Sequence, residues 1–263
     1  MSLTIIIQTL KDHLKGILIL AALLFVWMLY ITVVYPSVAT MDMSDLMSNT
    51  AIQAVYGAGI NMNSFEGYMT TKAMLMFGLI FGGYIAWLAA SFLSGEVERK
   101  TIDLLLSLPV KRENLVLARY ASLLPVIVIL LAVGLAGIYA GARMANISTP
   151  FQWFGWTMLY MGLFGLAFGA MALLISAVLS NGRQAAMVSI GVMLAMYFME
   201  TIGSVVPTVE IIRKLSLFHY MNYVGILGSH HLNWVDAGIL LVVAGVFLAL
   251  TIYVYGRREI NVS

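Results

Sequence analysis

Three groups of residues in this 263-residue chain have types and spacings that could do chemistry. The first is His219, His230 and His231, with Glu200 and Glu210 before them and Asp236 after. Imidazoles and carboxylates are the ligands zinc prefers. However, no His-Glu-x-x-His pattern occurs, and adjacent His230 and His231 cannot easily both ligate one ion, so they read as loop or interfacial histidines without a metal. The second is Gly95-Glu96-Val97-Glu98-Arg99-Lys100-Thr101, which ends like a phosphate-binding loop. It lacks the glycine before the lysine and is one residue short, so its backbone could not cradle phosphates. The third is the stretch from Ser94 to Arg119, which carries nine of the 26 charged side chains. Its chemistry is binding, not catalysis. With no cysteine anywhere, thiol nucleophiles and thiolate metal sites are excluded, and the chain has no catalytic, cofactor-binding or metal-ligating residues of its own.

On a helix, Glu96, Arg99, Lys100, Asp103 and Ser107 fall within an arc of about 100°, and Val97, Ile102, Leu104, Leu105, Leu106 and Leu108 fill most of the rest. Pro109 ends that helix, and a second can restart near Lys111. An amphipathic helix between two membrane spans lies in the interface with its polar stripe facing water. Both charge signs are present, which suits a protein partner better than an anionic lipid surface. Glu98 falls in the apolar arc. Either the preceding span runs on through Glu98, or Glu98 pairs with Arg99, Arg112 or Arg119.

The elements that position this connector are membrane spans. The chain is 62% hydrophobic and 10% charged, against about 25% charged in soluble domains. Its apolar residues come in blocks of the roughly 20 residues a bilayer crossing needs, without the alternation of a transmembrane barrel. Six spans are expected, about 16–38, 72–94, 120–141, 153–179, 184–206 and 235–255, in one all-α polytopic membrane domain over 1–263. Trp153, Trp156 and Tyr160 suit an interface. Residues 1–15 read either as an amphipathic helix on the cytoplasmic face or as the cytosolic end of span one; they do not read as a cleavable signal. Small residues recur four apart at Gly78/Gly82, Gly137/Gly141, Gly165/Gly169 and Gly191/Ala195, a spacing that lets helices approach closely. Glu200 lies about 24 Å along its helix from Gln184, near the outer interface. Eighteen methionines suit adaptable apolar surfaces, with a cluster at Met41 to Met47.

Six spans put both termini on one side. Ten of the 14 Lys and Arg residues then share that side with the connector, and Lys72, Arg143, Arg213 and Lys214 fall opposite. The excess of cations marks the cytoplasm, so both termini and the connector are expected there. The net charge of +2 gives no reason to expect nucleic acid.

The run Glu98-Arg99-x-Thr101-Ile102-Asp103-Leu104-Leu105-Leu106-Ser107-Leu108-Pro109-Val110 resembles the connector between the second and third spans of ABC-2 type transporter permeases. Lys100 stands where that family usually has glycine. The ending Tyr255-Gly256-Arg257-Arg258-Glu259-Ile260 is similar to the family's, and so is Leu215-Ser216-Leu217-Phe218-His219-Tyr220, with Leu217 in place of proline. The resemblance implies that the connector holds a coupling helix docking on a separate ABC ATPase subunit through Glu96, Glu98, Arg99, Lys100, Asp103 and Ser107. It implies re-entrant helices on the outer side before the last span. It also implies two permease copies, a homodimer here, with two ATPase subunits that bind the ATP and magnesium. The expected activity is export of a lipophilic or amphiphilic substrate across the plasma membrane of a prokaryote, the chain itself being no enzyme. A membrane scaffold without transport, and an intramembrane metalloenzyme built on the histidines and Glu200, are the alternatives.

Overall fold

A computed structural model describes residues 2–40, 63–98 and 112–257. The described residues form helices and no strands. Six stretches among them are long and apolar enough to cross a membrane: Ile6–Ala39, Phe65–Ser94, Arg112–Met144, Phe151–Val178, Gly182–Ser204 and Trp234–Arg257. The chain is an all-α polytopic membrane protein.

The first helix, α1, is Ser2–Ala39. It is unbroken, so residues 2–15 continue the first span with no separate helix before it. At 1.5 Å per residue it is about 57 Å long, well beyond a hydrocarbon core of about 30 Å. The second span starts earlier than the charge at Lys72 suggests. Helix α2 (Phe65–Met69) passes through a π-helical turn, Thr70–Met74, into α3 (Leu75–Glu98). Two threonines explain the wider turn. The Thr70 hydroxyl donates to the Glu66 carbonyl at 2.7 Å, and that of Thr71 to the Gly67 and Tyr68 carbonyls at 3.1 and 3.0 Å. Hydroxyls that occupy helix carbonyls loosen the main-chain ladder.

The third span is split into α4 (Arg112–Ala121) and α5 (Leu123–Met144). Pro125 has no N–H for the Ala121 carbonyl, which accounts for the break at Ser122. There the Ser122 hydroxyl donates to the Arg119 carbonyl at 2.6 Å. Helix α6 (Phe151–Val178) follows, then α7 (Gly182–Val205). Between them the Asn181 side chain accepts from the Arg183 and Gln184 amides at 3.0 and 3.1 Å, which makes the tight turn expected there. Beyond α7 the chain folds back as a 3-10 helix, Pro207–Leu215, and two short helices, α8 (Leu217–Tyr220) and α9 (Tyr223–Ser229). Asn222 and His230 at the two ends of α9 have φ of 44° and 52°. The last span is α10 (Trp234–Arg257).

Helix α6 is the most buried of the six spans, while α7 and α10 are the least. It is packed by α10, α3, α5 and α7. Small residues make that possible, because packing replaces the hydrophobic effect inside a bilayer. A methyl group on Gly165 would stand 2.7 Å from the Phe81 ring, and one on Gly169 2.6 Å from Leu123. Helices α1 and α5 meet the same way: a methyl on Gly137 would lie 2.8 Å from the Phe25 carbonyl oxygen. Three of the four small-residue pairs therefore serve packing within the chain. The fourth does not, since Gly191 has open space beside it and Ala195 is exposed.

Candidate functional site

The connector joins the end of α3 to the start of α4, and both of these helices are held by polar contacts. On the return side, Arg119 of α4 donates from Nη1 to the hydroxyl of Thr9 on α1. Its guanidinium carbon also lies 5.7 Å from the centroid of the Phe92 ring on α3. Thr9 and Phe92 are both buried. One cation thus ties together α1, α3 and α4. A guanidinium suits this place, because it stacks on a ring and donates a directed hydrogen bond at once. Beside it, His13 of α1 packs edge-on against Trp87 at 6.1 Å. Arg112 reaches the Tyr255 carbonyl of α10 at 3.5 Å, a long contact at the limit of a hydrogen bond. Residues near both ends of the described chain therefore meet at the same end of the bundle as the connector.

On the departing side, Ser176 of α6 reaches α3. Its hydroxyl lies 2.6 Å from the Ala90 carbonyl oxygen, 3.0 Å from the Ser94 amide and 3.2 Å from the Leu93 amide. Ser94 and Ser176 are fully buried. Neither Ser176 nor Thr9 stands out in the sequence. The only signal is that each is a hydroxyl near the connector's end of an apolar span, where a polar group needs a partner.

The opposite end of the bundle holds the first group singled out in the sequence. Arg213 of the 3-10 helix donates to Glu200 Oε1 through Nη2 at 2.7 Å and Nε at 3.1 Å. His219 Nδ1 is 3.5 Å from Glu200 Oε2, close for an ion pair but long for a hydrogen bond. Ser216 donates to the Met196 carbonyl at 2.7 Å and caps α8 by accepting from the Phe218 amide. Asn222 donates to Asp236 at 3.0 Å. Burial, followed by the Glu200 charge, pushes the Tyr223 phenol up from its ordinary value, so it stays neutral. These contacts pin the segment between α7 and α10 onto those two helices.

His230 is stacked on Trp153, with ring centroids 4.8 Å apart and an interplanar angle of 9°. Glu200 is thus faced by Arg213 and His219, while His230 is taken up by Trp153. Among the described residues, no three His, Cys, Asp or Glu side chains converge as metal ligands would.

Of the predicted docking residues, Glu96 and Glu98 belong by backbone to the last turn of α3. The helix of the second span therefore runs on to Glu98, four residues beyond the apolar stretch Phe65–Ser94. Arg99, Lys100, Asp103 and Ser107 lie outside the described residues, as do Met41 to Met47 and Arg258 to Ser263. The site shown is thus the frame of the connector: the pin at Ser176 and the clasp at Arg119.

The family model described as ABC-2 family transporter protein matches residues 3–260. The chain belongs to that family. The match takes in all six spans, the connector and the segment between α7 and α10. An ABC-2 family member with six spans is a multi-pass membrane permease of an ABC transporter, associated with an ABC ATPase and with the bilayer. A comparison with individual curated proteins found no match.

Proposed function

We propose that this ABC-2 permease is an exporter driven by a separate ATPase subunit that docks on the 96–108 connector. The observation that carries the reading is the frame of that connector. Its departing helix is held by Ser176 and its returning helix by Arg119, so a push on the connector is passed to α1, α3, α4 and α6 instead of being lost in lipid. Glu96, Glu98, Arg99, Lys100, Asp103 and Ser107 make the contact, and the leucine run anchors the helix beneath the bundle. The connector and both termini face the cytoplasm of a prokaryote, as the distribution of Lys and Arg supports. ATP and magnesium are bound by the partner, and this chain supplies the moving spans. Its energy input is the difference in docking contacts between two states.

Two copies pair as a homodimer, each with one ATPase subunit, and the pathway lies between them. The outward face of α7 supports this, since Gly191 and Ala195 leave room there for a close neighbour. Few charges occur within the spans, so the substrate is lipophilic or amphiphilic.

The test is to co-purify the chain with the ATPase encoded beside it and to reverse the charges at Glu96 and Asp103. The expected result is loss of the complex and of transport-coupled ATP turnover. Full retention of both would sink the docking role.

A further inference from the structure

The contact between Ser176 and α3 goes beyond helix packing. In an undistorted helix, the Ser94 amide donates to the Ala90 carbonyl and the Leu93 amide to that of Ala89. Here both amides also have the Ser176 oxygen within 3.0 and 3.2 Å, and that oxygen lies 2.6 Å from the Ala90 carbonyl. A hydroxyl has one proton to give and two lone pairs to offer. The Ser176 hydroxyl has four polar atoms of one turn within reach, the Ala90 carbonyl, the Leu93 and Ser94 amides and the Ser94 hydroxyl at 3.1 Å, on a helix 80-odd residues earlier in the chain. The Ser94 hydroxyl crowds the same carbonyl from its own helix at 2.7 Å. A side chain set into the main-chain ladder is one of the few identifiable causes of a helix bend.

The position matters as much as the contact. Ser94 is one turn before Glu98, the last described residue ahead of the connector, and Gly95 follows it directly. Glycine weakens a helix interior. Beside it, Ala90 of α3 packs with Ala185 and Ala186 of α7, with Ile175 and Leu179 against them. The turn up to Ser94 is thus buried and hydrogen-bonded to α6, and Gly95 follows where that hold ends.

We propose that Ser176 is a positioning residue for the connector: its hydroxyl sets the direction in which α3 leaves the bundle, and the end of α3 beyond Ser94 pivots about it. The pivoting under load rests on the connector being the point that the ATPase pushes; the setting of direction does not.

The chain has no cysteine, so two can be introduced without background. Full-length protein carrying Glu98→Cys and Arg183→Cys is spin-labelled in nanodiscs, and the distance distribution is measured by double electron–electron resonance. With Ser176 present the distribution is narrow. Ser176→Ala is expected to shift it or to broaden it by about twofold. Ser176→Thr, which keeps the hydroxyl, retains the narrow distribution. Ser94→Ala removes only the 3.1 Å contact between the two hydroxyls and leaves the three main-chain contacts of Ser176, so it too is expected to retain the narrow distribution. An unchanged distribution in Ser176→Ala overturns the proposal, and so does equal broadening in Ser94→Ala. In parallel, ATP turnover of the complex formed by the unlabelled variants is compared with that of the ATPase alone. Loss of the permease effect in Ser176→Ala, with recovery in Ser176→Thr, supports pivoting under load. A changed distance with unchanged coupling overturns the pivot alone and leaves the direction-setting role standing, whereas no permease effect on ATP turnover even with Ser176 present counts against the docking reading.

Discussion

Arg119 and Thr9 are 110 residues apart in sequence, yet the guanidinium of one donates to the hydroxyl of the other where α4, α1 and α3 converge. Arg119 also lies over the Phe92 ring, so a residue counted among the connector's charges is in fact part of the bundle.

Replacing Arg119 by Met keeps much of the volume and removes the charge and the donor. The expected loss is about 1–3 kcal/mol, the cost of deleting a charged hydrogen-bond partner. Thr9→Val should cost less. The double variant should fall short of the sum by about 0.5–3 kcal/mol, as contacting residues do. Thermal unfolding in detergent or nanodiscs reads all three, and strict additivity would show that the two side chains do not communicate. Arg119→Lys is expected to resemble Met more than wild type, because an ammonium neither stacks nor forks like a guanidinium.

Glu200→Gln or Arg213→Met should loosen the segment after α7 from that helix. Both groups are partly exposed, so the expected cost is modest, about 1 kcal/mol. The exchanged pair, Glu200→Arg with Arg213→Glu, should recover part of it. Limited proteolysis between Pro207 and Ser229 is the direct measurement. Cleavage no faster in the single variants than in wild type would mean that Ser216 and Asn222 hold the segment without the ion pair.

Elemental analysis of the purified protein is expected to return less than stoichiometric zinc, and His230→Ala with His231→Ala to leave the metal content unaltered. Glu200 faces Arg213, and His230 lies flat on Trp153, so neither is oriented toward a shared ion. One zinc per chain that disappears in these variants would revive the metalloenzyme alternative.

The glycines separate packing within the chain from contact beyond it. Gly137→Leu must push against the Phe25 carbonyl and Met28, and overpacking of this kind costs about 1–3 kcal/mol or more. Gly191→Leu meets open space, so the monomer should fold normally. If α7 faces a second copy, Gly191→Leu instead weakens the dimer, read as a shift to monomer in mass photometry. A dimer of unchanged strength would remove α7 from the seam.

The amino-acid sequence alone determined how many times the chain crosses the bilayer and which loop carries the charges. Both follow from hydropathy and charge, which are summed along the chain and need no contacts. It also carried the family likeness, through local runs such as Leu215 to Tyr220. Tertiary structure decided which span lies at the centre, because all six are apolar enough to cross and only packing tells α6 from α10. It decided that Glu200 belongs to Arg213, and that Arg119 belongs to Thr9 and Phe92. It alone placed Ser176 against Ala90 and Ser94. A hydroxyl in an apolar run must find a partner, but nothing local says which of five neighbouring helices will provide it.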